Sequence, residues 1–151
     1  MSLILHPIQT EEDLKKCAPL LVRVYNAEPW NDHWDEKWAY KKLLVSFRSP
    51  DFYGICIMED QNIVGVLVGN LEPNNTENFF YLRDMFVDPD QQRKGIGSLL
   101  LDSIKNHLNP MEEVSGITLF TSRVYFTHAF YLKNQFEVLD EFCFMHYGKG
   151  S

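Results

Sequence analysis

The sequence predicts an α/β (α+β) fold in which a mixed central sheet of about seven strands is flanked by about four helices. Short apolar, β-branched runs alternate with longer segments whose apolar residues recur at helical spacing, in the order β-α-α-β-β-β-α-β-α-β-β. Consecutive strands early and helix-separated strands later are typical of a sheet that is antiparallel first and has crossover helices afterwards. The length of 151 residues fits one compact domain, predicted over residues 1–151.

The beginning of the chain predicts one strand and two helices. The strand is predicted over residues 3–7. Thr10 and Asp13 then have the spacing of a capping box, which predicts the start of a helix. That helix is predicted to run to about Tyr25, with one apolar face formed by Leu14, Cys17, Leu21 and Val24. The second helix is predicted over about 35–47.

A β-hairpin and a further strand are predicted next. Two apolar runs at 52–58 and 62–69 are joined by a short polar turn, as in a hairpin. The Asn-rich segment 71–78 predicts a loop. The following run, 79–87, predicts the strand that leads into the most informative part of the sequence.

The second half predicts a helix from the turn at 92–97 to about residue 108, with an apolar stripe formed by Ile96, Leu100, Ile104 and Leu108. A strand at 116–121 and a short helix at 125–134 follow. The apolar segment 136–147 has a polar break at Asp140 and Glu141, which predicts two final strands.

The composition argues against some classes of partner. The formal net charge is -7, and there is no Lys/Arg run that could form a basic groove for nucleic acid. An acidic surface tolerates cationic small molecules, although it also serves solubility alone. No signal peptide and no membrane-spanning run is apparent. The three cysteines form no C-x-x-C pair, which favours a reducing compartment, and a cytoplasmic location is expected.

The turn Gln92-Arg93-Lys94-Gly95-Ile96-Gly97 predicts a phosphate site at a helix N-terminus. Free N–H groups and the helix dipole favour an anion there, and glycines let the backbone approach it closely. Ser98 and Leu99 after the second glycine do not fit a Walker loop, and Leu100 does not fit a dinucleotide fingerprint. The turn matches the acyl-CoA loop Q/R-x-x-G-x-G/A at every defined position.

Together with the preceding segment Tyr81-Leu82-Arg83-Asp84-Met85-Phe86-Val87-Asp88-Pro89, this turn resembles the strand–loop–helix motif of the GNAT acetyltransferases. The element order is similar to that family over nearly the whole chain. The resemblance implies acetyl-CoA as co-substrate. It implies a pantetheine arm along the backbone of Met85, Phe86 and Val87. The pyrophosphate would bind the amides of Arg93, Lys94, Gly95, Ile96, Gly97 and Ser98, with Gln92 orienting the loop.

A second family motif, N-x-x-A-x-x-F-Y-x-x-x-G-F, is matched in part. Phe130, Tyr131 and Phe136 align with it, whereas the asparagine, alanine and glycine are replaced by Val124, Thr127 and Gln135. The resemblance places Tyr131 near the thioester sulfur. A phenol with a pKa near 10 can donate a proton to the leaving thiolate. The alternative is that Tyr131 only packs with Phe130 in the core.

Asp84 is the candidate general base, because relatives often hold a glutamate on this strand and a neutral amine is needed for attack. Strand alternation predicts that Asp84 shares a face with Leu82 and Phe86, with Arg83 on the other face. The alternative role for Asp84 is a structural ion pair with Arg83 or Lys94. Weaker candidates for the base are Glu72, Glu28 and His128.

The segment 28–36 mixes aromatic side chains with carboxylates and is the candidate acceptor site. Glu28, Trp30, Asp32 and Trp34 would suit a cationic amine through charge and cation–π contact. The segment is similar to the acidic clefts of aminoglycoside N-acetyltransferases. The alternative is that Asp32 or Asp35 caps a helix while the tryptophans lie in the core. No metal site is expected, because the five histidines lack ligand spacing.

These features predict an acetyl-CoA-dependent N-acetyltransferase in which a primary amine attacks the thioester directly. The expected partner is a small-molecule amine, aminoglycoside- or polyamine-like, and a homodimer is plausible because final strands pair between subunits in this family. Three alternatives stay open. They are a catalytically silent acyl-CoA-binding or sensor module, a protein N-terminal or lysine acetyltransferase, and a protein that binds another nucleotide.

Overall fold

The computed structural model describes residues 2–91 and 94–150. The chain divides into two compact units, one ending at Phe120 and the other beginning at Thr121. The first unit contains β1 (Leu3–Pro7), α1 (Glu11–Lys15), α2 (Ala18–Tyr25), α3 (Glu36–Phe47), β2 (Phe52–Glu59), β3 (Asn62–Asn74), β4 (Glu77–Val87), a 3-10 turn (Pro89–Gln91), α4 (Ile96–Leu108) and β5 (Val114–Thr118). The second unit contains α5 (Phe126–Lys133). No helix in the described part of the chain is long and apolar enough to cross a membrane.

The predicted mixed sheet is confirmed, although it has five strands among the described residues instead of about seven. The strands follow the order β1-β2-β3-β4-β5. The first four pair antiparallel with their neighbours, and β5 pairs parallel with β4. Asp60 and Gln61, with φ of 50° and 71°, form the turn of the predicted hairpin. A two-residue turn of this kind matches the twist of the strands it joins.

The predicted first helix is two helices. The capping box is present, since Asp13 N–H donates to the Thr10 hydroxyl and Thr10 N–H donates to the Asp13 carboxylate. The helix then breaks between Lys15 and Ala18. Pro19 is the physical reason, because it has no N–H to donate and its ring clashes with the carbonyl four residues earlier. The predicted apolar face, Leu14, Cys17, Leu21 and Val24, is buried.

The loop predicted over 71–78 is wrong at both of its ends. Strand β3 continues to Asn74 and β4 begins at Glu77, so that the connection is a tight turn with Asn75 at a φ of 62°. The polar composition of this segment reflects exposure: residues 72–77 are exposed on strands that extend past the core. Strand pairing tolerates polar side chains where neither face is covered.

Helices pack on both faces of the sheet. α1, α2 and α3 cover one face, where their apolar residues pack with Val66, Val68 and Phe86. Gly65 points to the opposite face, since side chains alternate along a strand. A Cβ added at Gly65 would lie 2.7 Å from Ile96 Cγ2, which shows that the first turn of α4 packs directly on β3 at this position.

The second unit contains α5, and its other described residues form turns and irregular chain. The two final strands predicted over 136–147 are wrong for the described residues, which contain no strand there. Asp140 and Glu141 lie in a turn, where Phe142 N–H donates to the Leu139 carbonyl at 3.2 Å. A short hairpin is marginal without a further strand or a covered face, and the side chains from 137 to 150 are exposed. The homodimer expected from these strands stays a prediction.

Candidate active site

The edge of β4 that faces β5 is paired along only part of its length. β5 pairs with β4 from Asn78 to Tyr81. Beyond Tyr81 no described strand pairs with this edge, while the opposite edge stays paired with β3 as far as Val87. An unpaired edge presents backbone N–H and C=O groups that need partners. The predicted pantetheine-binding residues Met85, Phe86 and Val87 lie on this stretch.

A β-bulge at Arg83 determines which side chains surround Asp84. Val68 lies opposite Asp84, and the pairing shifts just after it, so that Arg83 is an additional residue on β4. Arg83 Nε donates to Asn70 Oδ1 at 2.6 Å, and Asn70 shares a face of β3 with Val68. The predicted alternation is therefore wrong here, because the bulge brings Arg83 to the face of Asp84.

Asp84 is a buried carboxylic acid with 6% of its surface exposed. Burial raises its pKa to about 6, whereas Lys42, Arg83 and the Tyr25 hydroxyl act to lower it. Lys42 Nζ lies 3.5 Å from Asp84 Oδ2, an ion pair that is long for a hydrogen bond. Oδ2 accepts no hydrogen bond from the described residues. The carboxylate thus forms its ion pair with Lys42, which is neither of the two partners, Arg83 and Lys94, named for the alternative structural role.

A second group of polar side chains lies next to Asp84. Arg83 binds Asn70 and also donates from Nη2 to Glu72 Oε1 at 3.4 Å. Its guanidinium carbon lies 5.1 Å from the ring centroid of Tyr81, in a cation–π contact. Burial raises the pKa of the Tyr81 hydroxyl. Arg83 is therefore held by three neighbours, whereas Lys42 forms an ion pair with Asp84.

The predicted phosphate turn is described in part. Gln92 and Arg93 lie outside the described residues. Gly95 is the N-cap of α4 with a φ of 81°, in the left-handed region that favours glycine. No described side chain caps this helix, and the first intrahelical bond runs from Leu99 N–H to the Gly95 carbonyl. The N–H groups of Ile96, Gly97 and Ser98 can therefore bind an anion, beside the exposed Lys94.

The end of β4 is fastened to α2 just before this turn. Arg23 Nη1 donates to Asp88 Oδ2 at 2.8 Å, and Nη2 donates to Asp90 Oδ2. Asp88 is buried, its N–H donates to the Val64 carbonyl, and its Oδ1 accepts from Asp90 N–H. These bonds fix the chain that enters the phosphate turn.

The acceptor segment is an ordered loop between α2 and α3. Asn26 closes it with two hydrogen bonds to the backbone of Trp34, at 2.8 and 2.9 Å. Asp32 N–H donates to the Tyr25 carbonyl, and the Trp34 indole donates to Asp32 Oδ2 at 3.1 Å. Asp35 caps α3 through the Trp38 N–H. The capping alternative is thus correct for Asp35.

The loop lies close to the strand that carries Asp84. The Trp30 ring packs edge-on against Tyr25 at 5.2 Å, and Tyr25 packs against Phe86 at 5.8 Å. Trp30 and Trp34 are half-buried against the core, whereas Glu28 and Asp32 are exposed. The four predicted acceptor residues therefore divide into two anchoring aromatics and two carboxylates that face solvent.

Tyr131 belongs to the second unit. It is buried on α5, and its ring packs edge-on against Phe130 and Phe136, each at 5.3 Å. The packing alternative is therefore present in the structure. The proton-donating role predicted for its hydroxyl stays a prediction.

The structure thus places Asp84 beside two side chains that the sequence did not single out, Tyr25 and Lys42. Asn70, also not singled out, binds the neighbouring Arg83. A signal for Lys42 exists in the helix periodicity, since it lies three residues after the buried Ala39 and four before the buried Ser46. The β-bulge at Arg83 has no comparable signal in the amino-acid sequence.

Comparisons with known proteins agree with this architecture. The sequence model of the family described as Acetyltransferase (GNAT) family matches residues 9–136. No curated protein matches the sequence significantly.

Several solved structures share the fold. An aminoglycoside acetyltransferase from an uncultured soil metagenomic sample, in complex with sisomicin, is 21% identical, with a TM-score of 0.72 over 98% of this chain and 97% of that one. An aminoglycoside N-acetyltransferase in complex with CoA is 12% identical, with a TM-score of 0.75 over 97% and 95%. A ribosomal-protein-alanine N-acetyltransferase from Brucella melitensis biovar Abortus 2308 is 17% identical, with a TM-score of 0.74 over 97% and 100%.

Proposed function

The chain belongs to the acetyltransferase (GNAT) family, and on that premise we propose that it transfers the acetyl group of acetyl-CoA to a primary amine of a cationic small molecule. The acceptor is aminoglycoside-like or polyamine-like, and its amine attacks the thioester directly. The proposal includes a cytoplasmic location and a homodimer, with neither nucleic acid nor membrane as partner. These last parts rest on the sequence alone.

The proposal rests on the edge of β4 that no described strand pairs with beyond Tyr81, and on the buried acid Asp84 within that part of the strand. The edge from Leu82 to Val87 is long enough to pair with the amide groups of an extended arm. Asp84 lies within it and has a carboxylate oxygen without a hydrogen bond from the described residues. A ligand held along this edge therefore passes beside a group that can accept a proton.

The described residues fit acetyl-CoA at the other end of the edge as well. The N–H groups of Ile96, Gly97 and Ser98 suit a pyrophosphate, and Gly95 adopts the backbone conformation that opens the turn. Lys94 adds a positive charge beside them. These N–H groups and Lys94 bind the pyrophosphate of CoA, so they do not distinguish an acetyl group from a longer acyl group.

Asp84 is the proposed general base. When bound, acetyl-CoA supplies the acetyl group as a thioester. Asp84 takes the proton from the acceptor ammonium, so that the neutral nitrogen can form the new N–C bond while the C–S bond breaks. A pKa of about 6 leaves Asp84 largely ionised at neutral pH and still basic enough to accept this proton. Tyr131 donates a proton to the leaving thiolate sulfur, a role that rests on the family motif, and the second proton that the nitrogen loses on becoming an amide restores the Tyr131 hydroxyl.

The acceptor loop supports a cationic acceptor. Glu28 and Asp32 are exposed carboxylates on a loop whose Trp30 reaches Tyr25, a neighbour of Asp84. Carboxylates and aromatic faces attract ammonium groups. The net charge of -7 acts in the same direction over longer distances.

A panel of amines incubated with acetyl-CoA, with release of the CoA thiol as the readout, tests the proposal. The panel holds an aminoglycoside, a polyamine, single amino acids and a peptide with a free N-terminus. We expect the highest kcat/KM for the polycations. Preference for the peptide would replace the acceptor class by a protein N-terminus, while transfer itself would stand.

A second candidate function is a catalytically silent acyl-CoA-binding module. The observation that favours it is the departure from the second family motif at Val124, Thr127 and Gln135. Calorimetric titration with acetyl-CoA, ATP and NAD, combined with the amine panel, separates the two functions. Binding of acetyl-CoA without turnover of any amine would favour the silent module, and no binding of acetyl-CoA would remove both.

A further inference from the structure

The carboxylate of Asp84 has an incomplete set of partners. Its Oδ2 atom is buried and accepts no hydrogen bond from the described residues, although a buried carboxylate oxygen normally accepts at least one. An unpaired buried charge is strongly destabilising, and the carboxyl would take up a proton unless a cation stood nearby.

The groups that face Asp84 come from every element around it. Helix α2 contributes the Tyr25 hydroxyl, α3 contributes Lys42, and β4 itself contributes Arg83. Strand β3 contributes Asn70 and Glu72, and both bind Arg83. Arg83 also favours the charged carboxylate, but it is bound to Asn70 and Glu72, whereas Lys42 has the larger effect and its Nζ lies 3.5 Å from Oδ2.

The position of Lys42 on α3 directs its ammonium group toward the Asp84 carboxylate. Helix α3 begins at the Asp35 cap, and Lys42 lies two turns further along, between the buried Ala39 and Ser46. Its side chain is 41% exposed, so that the ammonium reaches the buried carboxylate from the solvent side. The adjacent Lys41 points elsewhere, with Nζ 4.4 Å from the centroid of the Trp38 ring.

We propose that Lys42 is a positioning residue for acetyl transfer: its ammonium keeps the buried Asp84 carboxylate ionised, and therefore ready to accept a proton, before the acceptor amine arrives. The inference rests on the proposed role of Asp84 as general base. Lys42 itself exchanges no proton with the substrate, and it acts through the charge that it places beside Oδ2.

The first arm of the test measures Asp84 directly in the full chain without ligands. The ¹³Cγ chemical shift of Asp84 is followed across the acid and neutral pH range in the wild type, Lys42→Met, Lys42→Arg and Lys41→Met. An opposite charge at this distance lowers a carboxyl pKa by about one unit or more. We therefore expect the midpoint to rise by about one unit in Lys42→Met and to stay at its wild-type value in Lys41→Met. Lys42→Arg should stay close to the wild type.

The second arm measures kcat/KM against pH for the best amine of the panel. In Lys42→Met, the ascending limb of kcat/KM should shift to higher pH by the same amount as the midpoint of the Asp84 ¹³Cγ titration. At pH values above that limb, kcat/KM should equal that of the wild type. Lys41→Met is the matched control. A carbon midpoint that does not move in Lys42→Met overturns the inference, and so does a midpoint that moves while the kinetic limb stays.

Failure of the proposed function gives a different result. If the wild type shows no transfer, or if Asp84→Asn keeps the ascending limb, Asp84 is not the base and the proposed mechanism falls. The carbon titration then shows separately whether Lys42 controls the charge of Asp84, while its catalytic role is overturned together with the mechanism.

Discussion

At the scale of single residues, the fold keeps the carboxyl of Asp84, the proposed general base, in an environment that disfavours its charged form. Its carboxyl is buried beside the core of the first unit, and the loss of hydration raises its pKa to about 6. In the unfolded chain the same group has its ordinary pKa of 3.8. The folded state therefore binds this proton more tightly, and stability falls as the pH rises between these two values.

Asp84→Asn should abolish most of kcat and stabilise the fold at the same time. The neutral amide removes the cost of an ionised buried carboxylate, which corresponds to about 3 kcal/mol at about pH 8 for a shift of this size. Near the unfolded pKa the wild-type carboxyl is protonated in the folded state, so the gain should nearly vanish there. Urea unfolding at both pH values, alongside kcat, checks this. A variant that is less stable than the wild type at the higher pH would contradict the assignment.

Tyr131→Phe should lower kcat far more than it changes the KM for acetyl-CoA. The substitution keeps the ring that packs on Phe130 and Phe136 and removes the hydroxyl proposed to donate to the thiolate. Steady-state kinetics with acetyl-CoA varied at saturating amine measures both constants. An unchanged kcat would show that Tyr131 serves packing alone.

At the scale of elements, the contact between β3 and α4 positions the proposed pyrophosphate site. Gly65 allows the first turn of α4 to lie directly on the sheet, where Ile96 and Leu100 are buried. The donors proposed for the pyrophosphate lie in this same first turn. The position of α4 therefore depends on the absence of a side chain on a neighbouring strand.

Gly65→Val should weaken binding of acetyl-CoA by about tenfold. Overpacking at this contact displaces Ile96, and one lost hydrogen bond to a charged group is worth about 1.5–3 kcal/mol. Calorimetric titration measures the Kd. Gly116→Ala is the control, because its added Cβ would lie at an ordinary 3.4 Å from Phe79. Equal affinities in the two variants would place the pyrophosphate elsewhere.

The loop between α2 and α3 combines a proposed role in binding a cationic amine with a structural role in capping α3, and substitutions can separate the two. Glu28→Gln with Asp32→Asn removes two exposed charges, while the new amide oxygen at position 32 can still accept from the Trp34 indole. The KM for a cationic amine should rise about tenfold at low salt, since each exposed charge pair contributes up to about 1 kcal/mol, and the effect should shrink at high salt.

Asp35→Ala is the matched control for this loop. It removes the cap of α3, so it should lower the free energy of unfolding by about 1 kcal/mol and leave the KM of the amine unchanged. If the double variant behaves like Asp35→Ala, the acidic loop serves structure alone.

At the scale of the whole molecule, the sequence predicted features that depend on local chemistry. The capping box at Thr10, the cap at Asp35, the hairpin turn and the stripe of α4 were all predictable, because neighbouring residues determine them. The break before Ala18 was also encoded locally, in Pro19, but the continuous apolar face concealed it.

Features that depend on distant pairing were not predictable. The bulge at Arg83 arises from the register between β3 and β4, and the ion pair between Lys42 and Asp84 joins a helix to a strand that follows much later in the chain. The prediction of two final strands was wrong for a related reason. An apolar run becomes a strand only when another strand pairs with it, and no strand in the described residues pairs with 136–147.

The open edge of β4 has a consequence for handling the protein. A row of unsatisfied backbone groups is a template on which a foreign strand can add, and native sheets usually protect such edges with charges, bulges or a covering segment. Along Leu82 to Val87, Arg83 supplies a charge and a bulge and Asp84 supplies a second charge. Met85, Phe86 and Val87 supply neither, and no strand among the described residues pairs with this edge there. The proposed co-substrate would occupy these groups like a missing strand. In its absence, self-association should begin here.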